Sequence, residues 1–126
     1  MYKNQVNFLK NRMHLMIEGR VDVAEMKAWS NDLLTQLKKL KPGFSVISEI
    51  LNCQPTTEEG RQILVETQGK AKELGMNHVV RIVKSNNAVT ANQWQRSSRS
   101  VGYTAMEAES VEKAEKLLDE IENAPK

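Results

Sequence analysis

The stretch Pro42-Gly43-Phe44-Ser45-Val46-Ile47-Ser48-Glu49-Ile50-Leu51 decides the fold class. Pro42-Gly43 closes whatever precedes it, because proline cannot continue a helix and glycine adopts the backbone conformations that end one. From Phe44 onward, apolar residues occupy both faces of an extended chain. Phe44, Val46 and Ile50 lie on one face, and Ile47 and Leu51 on the other. A strand covered on both sides belongs to a parallel or mixed sheet flanked by helices. Residues 77–84 repeat the pattern with Val79, Val80, Ile82 and Val83.

The segments around these two strands read as helices and a hairpin. Before the first strand, Asp22 suits a helix N-cap, and Glu25 stands at the capping-box position. Val23, Met26, Trp29 or Ser30, Leu33, Leu37 and Leu40 recur at three- and four-residue steps, which makes one apolar stripe. Lys38, Lys39 and Lys41 are expected in the last turn, where they complement the helix dipole. Further upstream, Val6 and Phe8, then Met13, Leu15 and Ile17, alternate with polar residues around a turn at Lys10-Asn11, as in a β-hairpin. After the first strand, Thr56 and Glu59 fit Thr-x-x-Glu. Thr56 is therefore the expected N-cap of a helix carrying Ile63, Leu64, Thr67, Ala71 and Leu74, closed by Gly75.

Residues 90–100 form a further helix around Ala91, Trp94 and Ser98. Residues 103–108 read in two ways, as a short edge strand before a helix from Ser110, or as the start of one long helix capped by Thr104-x-x-Glu107. Val111, Ala114, Leu117, Leu118 and Ile121 are helical in both. The expected fold is a single α/β domain over residues 1–126. It has a mixed sheet of four or five strands, with helices packed on both faces.

Composition narrows the function. A chain of 126 residues suits one domain with a real core. Net charge is 18 − 16 = +2, which gives no whole-chain bias toward nucleic acid. Cys53 is the one cysteine, so no internal disulfide framework or cysteine-rich zinc site exists. His14 and His78 have no second ligand at metal spacing. No apolar run approaches the roughly 18 residues of a membrane span, and residues 1–10 lack a signal peptide's apolar core. The expectation is a cytoplasmic protein without metal or cofactor and without integral membrane association.

The chain resembles the STAS domain shared by anti-sigma-factor antagonists and the cytoplasmic tails of sulfate transporters. It is most similar to the divergent SpoIIAA-like branch. The residues carrying the resemblance are Met13-His14-Leu15-Met16-Ile17-Glu18-Gly19-Arg20-Val21-Asp22, the amphipathic helix to Leu40, and Pro42-Gly43-Phe44-Ser45-Val46-Ile47-Ser48-Glu49-Ile50. Ser110-Val111-Glu112-Lys113-Ala114 followed by Leu117-Leu118 looks like the closing helix of that branch. The resemblance implies a bacterial, non-enzymatic regulatory or protein-interaction module with a protein partner. It also allows a small apolar or lipid ligand. Anti-sigma antagonists carry Asp-Ser after the buried strand as a phosphorylation site. Here Thr56 or Thr57 stands near that place with no aspartate before it, which speaks against a kinase switch.

Two places carry the candidate chemistry. The first is the loop Cys53, Gln54, Thr56 and Thr57 at the carboxyl end of a central strand, where free helix N–H groups attract anions or partners. If Thr56 spends its hydroxyl on the cap, Thr57 is the free side chain of the first turn. Cys53 beside a helix N-terminus raises the alternative of a thiol-dependent enzyme. However, a cysteine phosphatase needs Cys-x5-Arg, and position 59 is Glu. The second place is a basic patch of Trp94, Arg96 and Arg99, suited to an anionic ligand, a lipid rim or an acidic partner. Residues 74–102 contain Arg81, Lys84, Arg96 and Arg99 and no acid. Residues 103–126 hold three lysines and seven acids, net −4.

Overall fold

The computed structural model describes residues 1–123. Strands β1 (Tyr2–Asn7) and β2 (Arg12–Ile17) form the expected hairpin. They are followed by α1 (Val23–Leu37), β3 (Ser45–Glu49), α2 (Glu58–Glu73), β4 (Val79–Ile82), a single 3-10 turn Ser85–Asn87, α3 (Ala88–Ser100), β5 (Met106–Ala108) and α4 (Val111–Glu122). The sheet order is β1-β2-β3-β4-β5. β1 is antiparallel to β2, and the four strands from β2 to β5 run parallel. This is a single α/β domain with a five-stranded mixed sheet and four helices. The short-strand reading of residues 103–108 holds, and the Thr104-x-x-Glu107 cap does not form.

Sheet alternation divides the interior into two layers. Met13, Leu15, Ile17, Val46, Ile50 and Val79 face Met26, Trp29, Leu33 and Leu37 of α1, Leu64 and Ala71 of α2, and Trp94 of α3. Ile47, Val80 and Ile82 on the opposite face meet Ala114 and Leu118 of α4. The two faces read from residues 44–51 are therefore the two real ones. Three helices cover one side and α4 alone covers part of the other. Consecutive parallel strands joined by right-handed crossovers place their helices on one face, and only the last helix is free to cross.

Local chemistry explains most of the boundaries. Asp22 caps α1 by accepting from the Glu25 N–H at 2.8 Å, and Ser110 caps α4 through the Lys113 N–H at 3.1 Å. Gly75 takes φ +105 as α2 ends, packed against Pro42, where a side chain would meet the proline backbone. Two expectations fail here. α1 stops at Leu37 with Lys38 as its C-cap, so the lysines follow the helix and do not sit in its last turn. Phe8 is a turn residue, 63% exposed, because the loop spans residues 8–11 and Asn11 closes it at φ 53.

α4 is fastened by charge as well as by apolar contact. Arg12 at the start of β2 is buried, yet it meets three carboxylates of α4. Its Nη1 lies 3.2 Å from Glu115, and its Nη2 donates to Asp119 at 3.1 Å and Glu122 at 2.8 Å. Lys10 adds a bond of 2.9 Å to Asp119, and Ser45 Oγ donates to Glu122 at 2.7 Å. Burial alone opposes the Arg12 charge, but these carboxylates outweigh it and hold its pKa above the ordinary arginine value. Three of the seven acidic residues in 103–126 meet Arg12 in this contact.

Candidate functional site

The loop from β3 to α2 lies at the carboxyl end of the parallel strands. It is tied down from two sides. On one side Gly19 and Cys53 form a bridge, with the Gly19 N–H on Asn52 O at 2.7 Å and the Gln54 N–H on Gly19 O at 3.0 Å. On the other side α3 holds it through side chains. The Gln93 amide accepts from the Thr56 N–H and donates to Thr56 O, each at 2.9 Å, and Thr90 Oγ1 donates to Cys53 O at 2.9 Å. Gln93 thus completes a backbone pair as a neighbouring strand would. Asn52, Gln54, Pro55, Thr57, Glu58 and Glu59 remain exposed along the outer rim. Between this rim and residues 86–90 lies a groove of about 490 Å³, with Val89 exposed at its edge.

The expected cap is off by one residue. Thr57 caps α2, its Oγ1 accepting from the Gly60 N–H at 3.2 Å. Thr56 is held by Gln93, and its side chain lies over Gly60, where a Cβ would fall 1.8 Å from Thr56 Oγ1. This close approach explains a glycine in the first turn of a helix, a place where it otherwise costs stability. The roles assigned to the two threonines are therefore exchanged. The tertiary contact to Gln93 draws Thr56 out of the capping position.

The surroundings of Cys53 do not favour a thiolate. Burial pushes its thiol up to about 11, and Sγ faces Gln54 O at 3.3 Å. A reactive thiolate requires the opposite displacement. No group of three or more metal-ligating side chains occurs among the described residues. His14 Nε2 sits 2.9 Å from Glu49 Oε2 across neighbouring strands, a pairing that the sequence reading did not anticipate.

The patch of Trp94, Arg96 and Arg99 is not one surface. Trp94 is buried and packs against Trp29 at 5.7 Å between ring centroids, whereas Arg96 and Arg99 are exposed. Residues two and five positions apart on a helix point in different directions from Trp94. Arg81, grouped with the patch by sequence proximity, is buried on β4. It donates to Gln95 at 2.9 Å and Ser98 at 3.0 Å, and its guanidinium lies 5.8 Å over the Trp94 ring. Desolvation lowers its pKa, and it also lifts that of the neighbouring Tyr103. Beside Arg81 lies a small, partly open pocket of about 30 Å³, bordered by Trp29, Gln68 and Tyr103. The signal for burial was present: Arg81 interrupts the run Val79-Val80-Arg81-Ile82, which is otherwise a core strand.

Comparison with protein-family models and with curated proteins finds no match for this chain. No helix among the described residues is long and apolar enough to cross a membrane.

Proposed function

We propose that this chain is a non-enzymatic, cytoplasmic protein-interaction module of the SpoIIAA-like STAS kind, and that it binds a protein partner through residues 53–59 and the adjoining start of α3. The observation that carries this reading is the preformed loop. Its backbone is fixed by Gly19, Thr90 and Gln93, while Gln54, Pro55 and Glu59 stand exposed on its outer side. A surface already held in one shape loses little entropy on binding. The order hairpin, helix, Pro-Gly, buried strand, with a closing helix from Ser110, supports the STAS resemblance.

The interior favours this reading over a carrier of apolar ligands. Ligand pockets typically run from about 300 to 1,000 Å³; the apolar pocket in the core is about 30 Å³, and the groove of about 490 Å³ carries Asn52, Gln54, Asn86 and Asn87 along its walls, which does not suit an apolar ligand. The raised Cys53 thiol likewise weighs against a thiol-dependent enzyme. The test is to capture a partner from the source cell and measure its affinity for Gln54→Ala, Pro55→Gly and Glu59→Lys. At least one is expected to weaken binding by about tenfold with thermal stability unchanged. Affinity within twofold of wild type for all three rejects the loop as the binding surface.

A further inference from the structure

We infer that β1 is a self-complementary edge, and that two copies of this chain join through it into one continuous sheet. The inference is independent of the loop 53–59. β1 ends the sheet and has a neighbour on one side only. Its six residues pair with β2 without a bulge and contain no proline or glycine, and Lys3 is its only charge. Apart from Lys3, such an edge lacks the usual devices that prevent strand addition. The opposite edge has them: β5 is three residues long, with Glu107 exposed on it and Glu109 exposed just after it.

The hydrogen-bond phase of the hairpin fixes which groups are free. Met1 and Glu18 exchange both backbone bonds, Met1 N to Glu18 O at 3.0 Å and Glu18 N to Met1 O at 2.8 Å. Bonded and non-bonded pairs alternate along an antiparallel ladder. Lys3, Gln5 and Asn7 therefore turn their N–H and C=O toward β2, and Tyr2, Asn4 and Val6 turn theirs outward.

A twofold axis perpendicular to the sheet keeps each face on its own side. The numbers of two opposed residues must then add to an even sum. Only one such register matches all the outward groups of both strands without using turn residues. It places Asn4 opposite Asn4 of the second copy on the axis, and Tyr2 opposite the second copy's Val6. These pairs supply roughly six backbone hydrogen bonds. No acidic or basic side chain faces its like, since Lys3 opposes Gln5. Met1, Phe8 and Leu9, which are 59%, 63% and 95% exposed, cluster at the two ends of this seam. A closed twofold pairing of this kind stops at two copies.

Light scattering and sedimentation of the full chain test the inference. The expected mass is twice 14.3 kDa. Asn4→Pro removes an outward N–H without touching the β1–β2 ladder, and it is expected to give a folded monomer. Asn4→Ala keeps that N–H and is expected to remain dimeric. In a Cys53→Ala background, Asn4→Cys is expected to form an interchain disulfide and Lys3→Cys is not, because a bonded pair has its Cα atoms about 5.5 Å apart. A monomeric wild type at every soluble concentration overturns the inference. So does a folded Asn4→Pro that stays dimeric, or cross-linking at Lys3→Cys without cross-linking at Asn4→Cys. Should Asn4→Pro fail to fold, the cysteine pair alone decides.

Discussion

Replacing Arg12 by methionine should loosen α4 from the sheet. Arg12 is 2% exposed and faces Glu115, Asp119 and Glu122, which sit at steps of four and three along one face of α4. Removing one partner of a fully buried ion pair costs about 3–5 kcal/mol. These carboxylates keep 31–40% of their side-chain exposure, so water resolvates them in part and Lys10 still serves Asp119. Methionine also restores much of the lost packing along the arginine stem. Halving the buried-pair figure gives about 2 kcal/mol. For a domain of this size that corresponds to a fall in Tm of roughly 6–10 °C.

Thermal and urea unfolding followed by circular dichroism measure the loss, and hydrogen exchange locates it. Amides of α4 should lose protection before those of β3 and β4, because α4 has only a small apolar cluster besides the charges. The penalty should shrink in acid, as pH falls through the lowered native pKa of Asp119 and its carboxyl takes up a proton. A loss under about 0.5 kcal/mol, which is the scale of an exposed pair, refutes the reasoning. A penalty equal at pH 3 and pH 7 also refutes it.

Four further outcomes follow from the same geometry. Thr57→Ala should cost about 1 kcal/mol in chemical unfolding as a lost N-cap, and equal or greater loss at Thr56→Ala would show the cap assignment to be wrong. Gly60→Ala should destabilise through its collision with Thr56 Oγ1, by about 1–3 kcal/mol, and Thr56→Ala should recover part of that, so simple additivity in the double variant would count against the contact. Hydrogen bonds from Lys10 and Arg12 hold the Asp119 carboxyl below its ordinary value, so its stabilisation is complete above about pH 4 and fades as pH falls through the lowered native pKa; an Asp119→Asn variant should flatten the acid limb of the stability curve, and an unchanged limb would contradict the assignment. At pH 8 the Cys53 thiol should react with iodoacetamide far more slowly than a free cysteine, and rapid labelling of the folded protein would revive the thiolate enzyme.

Sequence alone determined the features that depend on local periodicity and on chain punctuation. Both-sided apolar residues at 44–51 and 79–82 specify strands covered on two faces, and Asp22 specifies a helix start through a bond only three residues long. Those signals act within a turn or two of the chain, and at these positions no distant group competes for them. Sequence leaves the β5 strand open because three residues carry too little period to choose between extended and helical states. Its pairing with β4 made the choice.

The candidate site depended on the tertiary structure. Thr56 and Thr57 are equivalent as caps by composition, and a glutamine 37 positions away selects between them. Trp94 and Arg81 look like surface partners of Arg96 and Arg99 until α3 is set on the sheet, which turns Trp94 and Arg81 inward together. Arg12 reads as a polar residue at the end of a hairpin, and only the crossing of α4 to the second face surrounds it with Glu115, Asp119 and Glu122. In each case the deciding group is distant along the chain. The energy of a charge or a hydroxyl depends on what desolvates it and what it meets, and those neighbours exist only once the sheet has placed the helices.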